Sequence, residues 1–407
     1  MTATVAPVVA RQRSDLSTVS PLGRPPARAL LVCLLLLISS VAWRKGTYYS
    51  GDLDVVVLSK AMLSLVALAL AGTAPRQGTP WSRLPLGPIP WMALYLAVTT
   101  VGGILHGNGF ATMVLGGRVC IITATAVLLV RAYPAAAILS ALTSAMLLLA
   151  AFASLTGVGS LAATGRLYGG VPPLNANEIA LLISVPLVCI MWRCVHRLAT
   201  WRDVALILPA LGVIWLTGTR TGLAALALAV IVLVLMAPRI PVPLFCSSVL
   251  AVPILLFVLL FTPLLTAYVT RGDTASVLTL NSRTVAWSAA LHYADTLPAQ
   301  VLGVGLAVKQ IPVSAMYRNA QILDSTWVSA YVQSGVLGTA LLAILVLATA
   351  GRVMASAPPM RSLSVALLVL LVGRSFLESG MFDASATYIT FLFVALTVQR
   401  PCRQETP

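Results

Sequence analysis

The sequence predicts an all-α polytopic integral membrane protein with about 12 transmembrane helices and one long outer loop carrying short amphipathic helices. Two observations carry the prediction. Hydrophobic residues make up 59% of the chain and charged residues 9%, with a mean hydropathy of +0.97. In an ordinary soluble domain about a quarter of residues are charged. In addition, apolar stretches of the length needed to cross ~30 Å of hydrocarbon as a helix recur along the whole chain. An open sheet could not satisfy its backbone polar groups in lipid, so helices are the expected form.

The stretches lie near 29–43, 55–73, 89–105, 111–130, 135–157, 178–192, 204–218, 221–237, 244–268, 326–350, 362–378 and 385–398. They divide the chain into a disordered cytoplasmic tail at 1–28, nine transmembrane helices over 29–268, an outer loop over 269–324, three more helices over 325–398 and a tail at 399–407. Cytoplasmic loops of membrane proteins hold an excess of Lys and Arg. Such residues crowd the segments that are inner when the N-terminus is inside, from Arg11, Arg13, Arg24 and Arg28 through Arg193, Arg197 and Arg202 to Arg400 and Arg403. Both termini are therefore expected in the cytoplasm, and the long loop outside the membrane.

The net charge of +15 reads as a topology signal and as attraction to anionic membrane lipids, which argues against nucleic acid as a partner. Cys33, Cys120, Cys189, Cys194, Cys246 and Cys402 fall in spans or on the inner side. Neither a disulfide framework nor a thiolate metal site is indicated, and no metal or other cofactor is expected.

Candidate functional residues cluster around the outer loop. Gly218-Thr219-Arg220-Thr221-Gly222 places a guanidinium between two apolar helices at the outer surface, where it can pair with phosphate oxygens. A plain alternative is an arginine snorkelling from a helix end. Asn281-Ser282-Arg283 precedes Val285, Trp287, Leu291, Ala294 and Leu297 at roughly helical spacing, the pattern of an amphipathic surface helix. Asp324-Ser325 is followed, after nine residues, by Gly335-Val336-Leu337-Gly338-Thr339, whose small residues permit close helix contact. Asp324 could equally be a helix N-cap. Lys60, Arg118 and Arg374 fall inside spans, where charges are costly and often functional. Lys60, Arg118, Asn177, Glu178 and Arg318 are candidates to line an outward cavity. Arg374 has Glu378 at i+4 and reads as half of a structural ion pair.

These three elements, in this order around a long outer loop, resemble the O-antigen ligase and polymerase superfamily of bacterial membrane glycosyltransferases, over about 174–398. Asn175-Ala176-Asn177-Glu178, Gly303-Val304-Gly305 and Arg374 with Glu378 are further matches. The resemblance implies a lipid diphosphate held by Arg220 and Arg283. It also implies a general base at 324, although ligases of that family carry histidine there and this chain carries Asp324. The implied reaction is an inverting, metal-independent transfer of a glycan from a polyprenyl diphosphate donor to an acceptor hydroxyl, on a glycan or lipid-linked acceptor, at the outer face of a bacterial inner membrane.

Two other classes remain open on sequence grounds. Asp52-Leu53-Asp54 in the first outer loop matches, weakly, the acidic pair of glycosyltransferases that use polyprenyl monophosphate sugars. Alternatively, two solvated aspartates simply precede a helix, where its dipole favours them. A transporter or flippase of envelope precursors would need a path to the inner face, and no paired broken helices in the two halves suggest one.

Overall fold

The computed structural model describes residues 20–21, 24–44, 54–75, 87–237, 287–312 and 320–398. Its helices are α1 (Ala27–Ser40), α2 (Val55–Gly72), α3 (Pro88–Leu105), α4 (Gly109–Ala132), α5 (Ala135–Thr156), the short α6 (Gly159–Thr164), α7 (Ala176–Val195), α8 (Trp201–Thr217), α9 (Arg220–Leu235), the short α10 (Leu297–Leu302), α11 (Thr326–Met354), α12 (Pro358–Ser375) and α13 (Ala386–Thr397). Every apolar stretch read from the sequence coincides with one of these, except 244–268, which lies outside the described residues. Six of the helices, α2, α3, α4, α5, α7 and α11, are long and apolar enough to cross a membrane.

The bundle is centred on α7, most of whose residues are buried. This helix contacts α5, α8, α9 and α12. A helix apolar all round is what such a central position requires. Asn175 and Glu178 form a capping box at its start, each satisfying a backbone N–H near the helix N-terminus. At the opposite end of the bundle a second capping box, Thr200 with Asp203, opens α8. Asp203 is fully buried and pairs with Arg193 Nε at 3.2 Å. Arg193 also donates to Leu198 O at 2.7 Å. Ser140 and Ser144 hydroxyls donate to the carbonyls of Ser20 and Pro21, both at 2.6 Å, tying the chain before α1 against α5.

Part of the long loop is folded. Residues 287–293 are helical, α10 follows, and β1 (Gln310–Pro312) pairs antiparallel with β2 (Ala320–Ile322). A small apolar core of its own, including Ala290, Ala294, Val304 and Ile311, binds this unit to Val332 of α11.

The contact with α11 depends on glycine. Gly335 sits inside α11 with φ 63° and ψ −166°, a conformation open essentially to glycine alone, and the helix breaks there. Val304 N–H and Gly305 N–H donate to the Val332 and Gln333 carbonyls at 2.9 and 3.0 Å, immediately before the break. A Cβ on Gly335 would lie 2.3 Å from the backbone carbon of Val301, and one on Gly303 would lie 2.2 Å from Ser334 N. Backbone thus packs on backbone, and irregular backbone at membrane depth is tolerated only where protein satisfies it. A second tie is ionic: Lys309, before β1, pairs with Asp383 in the turn between α12 and α13. Burial alone would push the Asp383 carboxyl up, but the Lys309 ammonium and the Ala384 N–H outweigh it and hold the group below its usual range.

Gly335→Ala should therefore cost about 1–3 kcal/mol for the conformation alone, with the clash against Val301 added. Membrane abundance and melting temperature should both fall, whereas Gly351→Ala in the same helix, where a Cβ meets nothing within 4 Å, should be neutral or slightly stabilising. The Lys309–Asp383 pair has a pH signature. Because the folded carboxyl titrates below its unfolded value, its stabilisation is complete at neutral pH and disappears as pH falls below about 4. The melting-temperature advantage of wild type over Lys309→Met should shrink over that range; an advantage that does not change with pH would rule out the ionic tie.

Candidate functional site

One end of the bundle opens into a cavity of about 1210 Å³, larger than the roughly 300–1,000 Å³ of common small-molecule sites. Its walls come from the chain after α1, the α5–α6–α7 connection, the residues between β2 and α11, and the α12–α13 turn. All of these lie at helix ends that the basic-residue pattern assigns to the outer side. The charged groups among the lining residues are Arg44, Arg166 and Arg374 with Glu178, Asp324 and Glu378. This balance of cations and carboxylates can bind an anion and also move a proton, a combination that a purely basic funnel would lack.

Asp324 stands two residues before α11, and Ser325, not Asp324, occupies the N-cap. The N-cap reading of Asp324 is therefore corrected, and its carboxylate belongs to the cavity lining. The start of α11 is fixed across the site: Thr326 donates from its backbone N–H and its hydroxyl to Glu378 O at 3.2 and 2.8 Å. Asp324 and Glu378 are thereby held as neighbours although the sequence separates them widely.

Asn177 and Glu178 also line the cavity. Asn177 Nδ2 donates to Glu378 Oε1 at 2.6 Å, and Arg374 Nη2 donates to Asn177 O at 3.0 Å. Arg374 and Glu378 are thus joined through Asn177, and the i, i+4 relation is kept by the backbone, where Glu378 N–H donates to Arg374 O at 2.8 Å, with the Glu378 carboxylate in electrostatic range of the guanidinium. α12 ends at Ser375, and Glu378 lies in the turn that continues it. Glu178 Oε2 is engaged by Asn175 N–H at 3.0 Å within the capping box.

Arg220 is the first residue of α9, after Gly218 in the left-handed conformation and Thr219 at the N-cap. It is not among the lining residues, but its helix adjoins them: a Cβ on Gly222 would come within 3.3 Å of Arg374 Nη1, and one on Gly218 within 3.3 Å of Arg166 Nε. Arg166 Nε donates to Thr217 O at 2.9 Å, and its guanidinium lies 5.5 Å from the Tyr168 ring centre. Three arginines therefore surround the α8–α9 turn. The sequence pattern points only to Arg220 there, since Arg166 carries no motif of its own and becomes a neighbour only through the return of the α6–α7 connection onto Leu216.

Lys60 and Arg118 are not among the residues lining this cavity, and Lys60 lies in electrostatic range of Glu178 and Asp54. Arg118 Nη2 instead donates to Ser39 O at 2.9 Å, in the last turn of α1. Lys60 Nζ sits 5.9 Å from the Trp43 ring centre. Asp54 caps α2 through Val57 N–H and pairs with Arg44 at 2.9 Å. Arg283, Arg318 and Asp52 lie outside the described residues.

No curated protein matches the chain. The O-antigen ligase family model matches residues 204–343, a span that includes the α8–α9 turn with Arg220, position 283, Asp324 and the Gly335 break, and that stops short of Arg374 and Glu378. Over that span, which contains the described part of the long loop and its junction with α11, the chain is similar to the O-antigen ligase family.

Proposed function

We propose that the protein is a glycan polymerase or ligase that transfers a glycan from a polyprenyl diphosphate donor to an acceptor hydroxyl at the outer face of a bacterial cytoplasmic membrane. The observation that carries this reading is the position of Asp324: a carboxylate just before the start of α11, in an end-of-bundle cavity lined also by Arg44, Arg166 and Arg374. The family match over 204–343 supports it.

In this reading the acceptor oxygen attacks the anomeric carbon while the bond from that carbon to the diphosphate oxygen breaks on the opposite face, inverting the configuration. Asp324 accepts the hydroxyl proton. The polyprenyl diphosphate departs with its negative charge increased, and fixed guanidinium groups stabilise that charge. Preorganised electrostatics of this kind usually contributes most to catalysis. Arg220 and Arg283 are the cations assigned to the leaving group. Their permanent charge lets them serve without a divalent metal. The lipid tail remains in the bilayer, and the remaining partners are an acceptor glycan or lipid-linked acceptor and the membrane lipids.

Asp324→Asn should lower transfer by about 10²–10⁴, the usual contribution of a positioned base. Arg220→Gln should lower it by about 10²–10³ through loss of charge stabilisation. In cells carrying either variant at normal membrane abundance, long glycan should disappear and short lipid-linked glycan accumulate. Unchanged glycan length in both would overturn the assignment.

A further inference from the structure

We propose that Arg374 contacts the substrate: its guanidinium, set against the first turn of α9, holds a phosphate oxygen of the lipid diphosphate. The assignment rests on the transferase reading above. Arg374 is 4% exposed, yet it lines the cavity. Only its Nη2 has a hydrogen bond, to Asn177 O. Its Nε and Nη1 are buried without a hydrogen-bond partner among the described residues. A buried polar group left in that state is costly, and more so when it carries a charge. Glu178 and Glu378 lie within electrostatic range, but the carboxylate oxygens described above are taken by Asn175 N–H and Asn177 Nδ2. They balance the charge of Arg374 and leave two of its nitrogens unsatisfied.

A second observation points to the same ligand. The N-terminus of α9, a helix of 16 residues, receives no side-chain cap from Thr219. Its third residue is Gly222, and a Cβ there would stand 3.3 Å from Arg374 Nη1. The guanidinium therefore lies against the positive end of a helix dipole, an unfavourable neighbour unless an anion joins them. Nε and Nη1 sit on different edges of the guanidinium plane, so the complementary group carries oxygens in several directions. A phosphate meets that demand better than a planar carboxylate. The three fixed elements are then Arg374, the α9 N-terminus and Arg220 at its first position. Arg166 clamps the turn through Thr217 O.

The test uses the full chain in lipid nanodiscs, with polyprenyl diphosphate and the uncharged polyprenol of the same length as paired probes. Wild type should prefer the diphosphate. Arg374→Gln should lower diphosphate affinity about tenfold or more, the scale of a charge-assisted hydrogen bond, with polyprenol affinity unchanged. Arg374→Lys should recover part of the loss. Gly222→Ala, which pushes a methyl toward Nη1 and toward Thr219 Oγ1, should weaken diphosphate binding selectively while Arg374 remains present. An Arg374→Gln protein with the full wild-type preference, or one that loses both probes equally, overturns the assignment and leaves the transferase reading standing. If Arg374→Gln does not fold, an unchanged preference in both Arg374→Lys and Gly222→Ala overturns it instead. A wild type without any preference for the diphosphate sinks the donor assignment itself.

Discussion

The junction of the long loop with the bundle depends on one constraint, the interruption of α11 at Gly335. A helix that breaks inside an apolar bundle must have its carbonyls satisfied by another part of the protein. Here the segment 303–305 supplies that partner, with Val304 and Gly305 bonding to Val332 and Gln333. The requirement runs in both directions. The loop is pinned to the bundle by the helix, and the helix can change direction because the loop fills the gap. Gly102 and Gly103 of α3 complete the fit, since a Cβ on Gly102 would meet Leu302 O at 2.4 Å and one on Gly305 would meet Gly103 Cα at 2.7 Å. Three chain segments therefore meet backbone to backbone.

The second organising feature is the treatment of charge. Charged groups in a membrane bundle are costly and persist where they are paired or functional. The two ends of this bundle differ in that respect. At the end with Ser20 and Pro21, Arg193 and Asp203 are buried together, and Thr200 and Leu198 take up further hydrogen-bonding capacity. That network is closed, and its role is to hold α7, α8 and the N-terminal segment in register. At the cavity end the corresponding network is open: Asn177 links Arg374 to Glu378, but two guanidinium nitrogens of Arg374 have no partner among the described residues.

Much of the helical plan was legible in the sequence because hydropathy is a local, additive signal. The runs beginning near Val55, Pro88, Ala135 and Ala176 need no tertiary information to be read as helices. The roles of Asn177 and Glu178 were partly legible, since Asn175 and Glu178 have capping-box spacing. What escaped is what tertiary contact decides. The three-residue strands β1 and β2 lack enough residues for a period-two pattern. The i, i+4 spacing of Arg374 and Glu378 suggests a helical pair, and it does not reveal that Asn177 bridges the two side chains. Arg193 reads as one inner-loop cation among several until Asp203 is folded against it. Lys60 and Arg118 are drawn to α1 and the chain after it, through Trp43 and Ser39, which sequence spacing cannot reveal.

The aspartate at 324, where the resembling ligases carry histidine, sharpens the division of labour in the proposed reaction. A carboxylate is a weaker base than an imidazole. Such a group removes a sugar hydroxyl proton late, once the acceptor oxygen has begun to bond to the anomeric carbon. More of the barrier must then be lowered on the leaving-group side, by stabilising the diphosphate as the glycosidic bond opens. The first turn of α9 is suited to holding that charge in the proposed reaction, because Arg220 starts α9, Arg374 lies against the same turn, and Arg166 holds the turn in shape. In the proposed reaction a modest base and a strong anion site are complementary halves of one mechanism, and the residues proposed for both stand at helix termini at the same end of the bundle.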